Sequence, residues 1–249
     1  MRKVAVTIAS LALIAPLALV ASAEAGQYKT LNERRLTGSS LGVGDVPRWM
    51  QRREKPTMER EYNASPTAGP DVCLDADGND VTGPVPAQSM TSTVTTRQNL
   101  DDFSFYEINS NIYQYASRGK AEKAWRQIED TIWGCNGTIV VEVEEELDGE
   151  PVTVDITVNT EVTQAQQLFG TPGYALFFNV DLSLYAADSE IDLIGDQYAV
   201  YRLAGTSIIR VEYAKVNASS PLSIGRNSRL FVNAMANVVA QRVQNRSTR

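Results

Sequence analysis

A chain of 249 residues, 43% of them apolar, is long enough to bury a substantial core. Its formal net charge of −7 repels phosphate backbones and anionic headgroups, so nucleic acid is not an expected partner. The absence of histidine removes Ser-His-Asp and Cys-His nucleophilic sites, His-rich zinc sites and imidazole acid–base chemistry.

The N-terminus reads as a secretory leader. Arg2 and Lys3 precede an uncharged apolar run from Val4 to Val20. Ala21-Ser22-Ala23 and the overlapping Ala23-Glu24-Ala25 are small-x-small patterns, so cleavage is expected after Ala23 or Ala25, and residues 1–25 are assigned to a signal peptide. The alternative is a retained anchor, for which the run is marginal and Pro16 is unfavourable. No later stretch is apolar enough to span a bilayer, so the expected product is secreted and has no membrane span once the leader is removed. Losing Arg2 and Lys3 makes it more acidic still.

Residues 26–89 carry little periodic apolar pattern and read as an extended N-terminal arm and loop. The arm is expected to cross the main body, pinned by Trp49 and Cys73; disorder of its first part fits equally well. Asp75, Asp77 and Asn79 stand at alternate positions and could converge on calcium. Asp80 occupies the place where an EF-hand needs Gly, and Pro86 the place of its bidentate acid. An Asx-turn cluster is therefore the simpler reading, and no metal site is assigned. The two cysteines, Cys73 and Cys135, read as a disulfide in an exported chain, with two free thiols as the alternative.

Residues 90–249 read as one domain. Strands are expected over 91–97 and 106–116. A helix opens at Ser117 or Gly119, with Ala121, Ala124, Trp125, Ile128, Ile132 and Cys135 on one face, and Gly134 and Gly137 end it. The stretch 139–143 pairs through an Asp148-Gly149 turn with 152–162. In the latter, Val154, Ile156 and Val158 alternate with Thr153, Asp155, Thr157 and Asn159, which predicts one buried and one wet face. A strand over 174–186 and a hairpin of 197–204 with 207–215 follow. A closing helix from about 224 to 244 carries Leu230, Phe231, Ala234, Met235, Val238, Val239 and Val243. Short turns force antiparallel pairing. The predicted class is α+β, a twisted antiparallel sheet with two amphipathic helices packed on one face.

The ordered set Tyr113 and Tyr115, Ala121-x-x-Ala124-Trp125, Trp133-Gly134-Cys135, Tyr198 to Leu203, Ser207 to Val211 and Ala234 to Val239 resembles the PknH-like extracellular sensor domain of actinobacteria, over roughly residues 90–245. The resemblance implies a kinase-free secreted member, an antiparallel sheet with helices, and a ligand cleft. Family members commonly carry more cysteines, so a second bridge is absent here, and the resemblance transfers no ligand residue.

The expected function is a non-enzymatic, sensor-like or ligand-binding domain of the cell envelope, without cofactor. Its partner is an unidentified small molecule or an envelope protein. The wet face Thr153, Asp155, Thr157 and Asn159, on the side of the sheet away from the helices, is the candidate ligand-binding surface, with the rim where the arm crosses the sheet as the alternative: its short polar side chains leave room for a ligand. The alternative is an envelope structural or protein-interaction factor. A carboxylate-pair hydrolase, drawing on Glu142, Glu144, Asp155 and Asp181, is a third reading.

Overall fold

The computed structural model describes residues 28–48, 56–75, 79–96, 105–147, 150–186, 189–217 and 226–248. The expected signal peptide, Trp49, Asp77 and the expected Asp148-Gly149 turn lie outside them. Eight strands form one antiparallel sheet. These are β1 (Thr57–Asn63), β4 (Gln88–Thr96), β5 (Phe105–Gln114), β6 (Gly137–Leu147), β7 (Glu150–Leu168), β8 (Thr171–Ala186), β9 (Ser189–Ala204) and β10 (Ser207–Asn217). Their spatial order is β1-β4-β5-β10-β9-β8-β7-β6. The strands β2 (Asp71–Leu74) and β3 (Asp80–Thr82) make a separate hairpin. Three α-helices complete the described residues: α1 (Glu33–Ser39), α2 (Arg118–Ile132) and α3 (Arg226–Ser247).

The α+β class and the antiparallel sheet are those expected, but the helices are not on one face. Val200, Ile209 and Val211 share a core with α3 and α1, whereas Ala199, Tyr201, Leu203 and Ile208 share another with α2. Alternate residues of a strand point to opposite faces, so α2 and α3 cover opposite sides of the sheet. The reason is legible in β9 and β10, where both parities are apolar, the pattern of strands covered twice. The half-wet alternation of residues 151–162 does not extend to the centre. Each fully buried Val, Ile or Leu here is worth roughly 1.5–3 kcal/mol of transfer free energy.

Ser117 caps α2 by accepting from the Lys120 backbone N–H at 3.3 Å. The predicted stripe Ala121, Ala124, Trp125, Ile128, Ile132 and Cys135 is buried throughout. In α3 the buried stripe is Val232, Met235, Ala236, Val239, Ala240 and Val243. Leu230 and Val238, expected on that face, are 59% and 37% exposed. The small side chains of Ala236 and Ala240 suit a helix seated close on the sheet, which turns Leu230, Ala234 and Val238 outward.

The stretch read as arm and loop supplies α1, β1 and the β2–β3 hairpin. Leu31, Leu36, Leu41 and Val46 enter the α3-side core. Gln114 holds Leu31 from both ends, accepting from its N–H at 2.7 Å and donating to its carbonyl at 2.9 Å. Lys29 N–H donates to the Ser247 carbonyl at 2.8 Å. Arg242 donates twice to the Asp45 carboxylate, at 2.8 and 2.6 Å. Residues 28–48 are therefore fastened along α3.

Candidate functional site

The β2–β3 hairpin borders the α2 side of the sheet and is tied down at several points. Cys73 is bonded to Cys135 with a Cα–Cα distance of 5.8 Å across 62 residues, joining β2 to the turn that ends α2. The Tyr115 hydroxyl donates to the Pro84 carbonyl at 2.9 Å. The Tyr201 hydroxyl donates to the Asp71 carbonyl. Gly69 and Gly83 lie so close that a Cβ at Gly69 would stand 1.8 Å from the Gly83 carbonyl oxygen. Asp75 accepts from the backbone and side-chain N–H of Asn79 and closes the hairpin as an Asx-type turn.

Beyond the ground covered by α2, the same face of β4, β5 and β10 is polar. In the ladder, Thr91 pairs with Asn111 and Asn111 with Arg210; Thr93 pairs with Asn109 and Asn109 with Glu212. These two rows place hydroxyl, amide and charged groups side by side at the strand spacing of about 4.8 Å. Thr91 donates to Asn111 Oδ1 and Thr93 to Asn109 Oδ1, both at 2.8 Å, and Asn109 Nδ2 donates to Glu107 Oε1 at 2.6 Å. Asn111 and Glu212 are 9% and 4% exposed, so this is not an open solvated surface.

Arg210 is the centre of the arrangement. Its Nη2 pairs with Glu212, whose Oε1 also accepts from Gln197 Nε2. Its guanidinium sits 5.9 Å from the Tyr201 ring centroid. Burial alone would lower the Arg210 pKa, but Tyr201, Glu212, Tyr113 and Asp71 around it outweigh burial and raise it. Burial likewise drives the Tyr113 hydroxyl upward and the Tyr201 hydroxyl up to about 12, so both stay neutral phenols. A buried ion pair of this kind is a poor source of net stability. Arg210 Nε is buried with no hydrogen-bond partner among the described residues, and the neighbouring Asn111 Nδ2 and Tyr113 Oη make no hydrogen bond to the described residues either.

Thr153, Asp155, Thr157 and Asn159 do share one face of β7, but it is the face on which α3 packs, opposite the α2-side core that takes Val158 and Val162 from the same strand. With a helix on each side of the sheet, neither side is free of helices; these residues lie instead on strands outside the ground of α3, which rests on β9 and β10. Asn159 accepts from Thr138 at 2.6 Å, and Asn179, its ladder partner, donates to Asp196 at 2.9 Å. The four residues are half-buried and form a shallow polar field. Of the carboxylates considered for hydrolysis, Glu142 stands opposite Asp155 and Asp181 opposite Thr157, with Glu142 and Asp181 exposed. Trp125 is buried in the α2-side core, while Trp133 is 48% exposed with its ring edge-on to Tyr174.

The Arg210 row is absent from the sequence-based site. Its signal lies in the parity opposite the apolar one: Glu107, Asn109 and Asn111 in β5, then Arg210 and Glu212 inside an otherwise apolar β10. Charges at alternate positions of a central strand mark a polar patch on a covered sheet.

Among the described residues no helix is long and apolar enough to cross a membrane, and no group of three or more His, Cys, Asp or Glu is placed to hold a metal ion. No family model, curated protein or solved structure matches the chain.

Proposed function

We propose that this chain is an exported, non-enzymatic ligand-binding domain of the cell envelope, of the sensor type its sequence resembles. The leader-like N-terminus and the disulfide support export. The observation that carries the binding reading is the convergence of Arg210 Nε, Asn111 Nδ2 and Tyr113 Oη, all without protein partners among the described residues, beside a buried ion pair. Buried polar groups are otherwise almost always satisfied, so the buried, unpartnered Arg210 Nε, flanked by an amide and a hydroxyl that no described protein group uses, marks a place for a ligand. The lack of histidine in the chain and the commitment of Glu212 to Arg210 and Gln197 favour binding over catalysis. Mass spectrometry of small molecules that copurify with the folded protein tests the reading. A bound molecule is expected with the wild type and lost with Tyr113→Phe; retention by that variant contradicts it.

A second reading, a protein-interaction factor, is favoured by one feature. Asp45, Pro47, Phe231, Ala234, Met235 and Val238 line a mostly apolar groove of about 260 Å³, and Leu230 of the same helix is exposed. Replacing Leu230 and Val238 with Ser separates the readings. Loss of envelope association with ligand binding intact supports the groove.

A further inference from the structure

We infer that the ligand of the Arg210 face is a neutral polyhydroxylated molecule, a saccharide in chemical class. The inference rests on the binding reading above and narrows it. Three unpartnered groups, Arg210 Nε, Asn111 Nδ2 and Tyr113 Oη, are hydrogen-bond donors, so the buried end of the ligand has to present acceptor oxygens. An ammonium group has no lone pair to offer them.

Charge then selects among oxygen ligands. The Arg210 cation is already matched by Glu212, and Asp71 also acts on it. A carboxylate or phosphate would enter beside two carboxylates and bring an uncompensated charge into a buried site, which costs several kcal/mol of desolvation. A neutral oxygen avoids both costs. At the other end of the field, Glu107 accepts from Asn109 with Oε1 and keeps a second carboxylate oxygen as an acceptor. The face therefore asks for acceptors at Arg210 and donors at Glu107. Hydroxyl groups supply both at once, and a pyranose displays them at spacings comparable to the strand separation of about 4.8 Å.

The test is an array of neutral oligosaccharides, uronic-acid oligosaccharides and amino-sugar oligosaccharides, probed with the disulfide-bonded mature protein. Binding confined to neutral members is expected, with at least a tenfold loss in Tyr113→Phe, which deletes one hydroxyl that no protein group uses. Asn111→Asp is the second variant, since it keeps the oxygen that Thr91 donates to and removes the donor. Thermal unfolding of both variants confirms that they are folded. Equal or tighter binding to charged members, or silence across the whole array, overturns the saccharide assignment. If Tyr113→Phe nevertheless loses a copurifying molecule, the site stands and only the ligand class falls. If neutral members bind both variants as tightly as the wild type, the site itself is wrong.

Discussion

Gly173 and Arg202 interlock: a Cβ on Gly173 would lie 1.4 Å from Arg202 Nη1, and the buried guanidinium occupies the space a side chain would take. Arg202 is 1% exposed and is held from above by α3, donating to Asn237 Oδ1 at 3.0 Å and to Asn233 Oδ1 at 3.3 Å. Asn233 in turn donates to the Tyr198 hydroxyl at 3.0 Å. The missing side chain at one strand position thus lets a cation lie flat beneath the terminal helix.

Gly173→Ala is expected to destabilise the protein by about 1–3 kcal/mol, because the guanidinium cannot retreat into solvent. In an Arg202→Met background the same change should cost less than half as much, since the unbranched thioether can repack. A double-mutant cycle in urea measures the coupling. Additive losses would show that the two positions do not share one space.

Cys135→Ser releases the β2–β3 hairpin from the end of α2 and should lower stability by about 2–5 kcal/mol. Thermal unfolding of the oxidised wild type, the reduced wild type and the variant checks this. The last two should melt together, well below the first.

The Arg242 guanidinium, donating to both oxygens of the Asp45 carboxylate, holds the Asp45 pKa below its ordinary value despite partial burial. A carboxyl with a depressed folded pKa contributes stability that is complete above its unfolded pKa and is lost as pH falls through the folded value. Docking of residues 28–48 should therefore be insensitive to pH above about 5 and weaken below about 4. Asp45→Asn should cost about 1 kcal/mol at neutral pH and flatten that acid limb. Limited proteolysis between Tyr28 and Arg48 as a function of pH reads it out.

Thr157→Lys combined with Asn159→Lys tests the β7 field. Both residues are partly exposed, so the double change should shift stability by no more than about 1 kcal/mol. Ligand binding at the Arg210 face should survive it. Loss of binding would move the site to β7.

Much of the fold was legible in the sequence because its signals are local. The α2 stripe from Ala121 to Cys135, the Ser117 cap, and the β9–β10 turn at Gly205 and Thr206 follow from spacing and turn chemistry. The Cys73–Cys135 bridge follows from a count of two cysteines in a chain expected to be exported. The side on which each helix sits was not legible in the way it was read. It depends on both parities of β9 and β10 at once, with Tyr198, Val200 and Arg202 facing α3 and Ala199, Tyr201 and Leu203 facing α2. Arg202 shows why this is hard: a charge at a buried position looks like a wet one until Gly173 and two asparagines of α3 are placed around it. The Arg210 row was missed for the same reason, since its meaning depends on Asn111, Tyr113 and Asp71, brought to it from other strands.

The proposed ligand site is Asn111, Tyr113 and Arg210, not the β7 field. Asparagine side-chain amides give assignable signals in a ¹⁵N–¹H correlation spectrum, and the two faces carry different ones: Asn111 on one, Asn159 and Asn179 on the other. Adding the copurified molecule to ligand-free protein should shift the Asn111 Nδ2 signal and leave those of Asn159 and Asn179 in place. A shift at Asn159 or Asn179 with Asn111 unmoved would place the ligand on β7 instead.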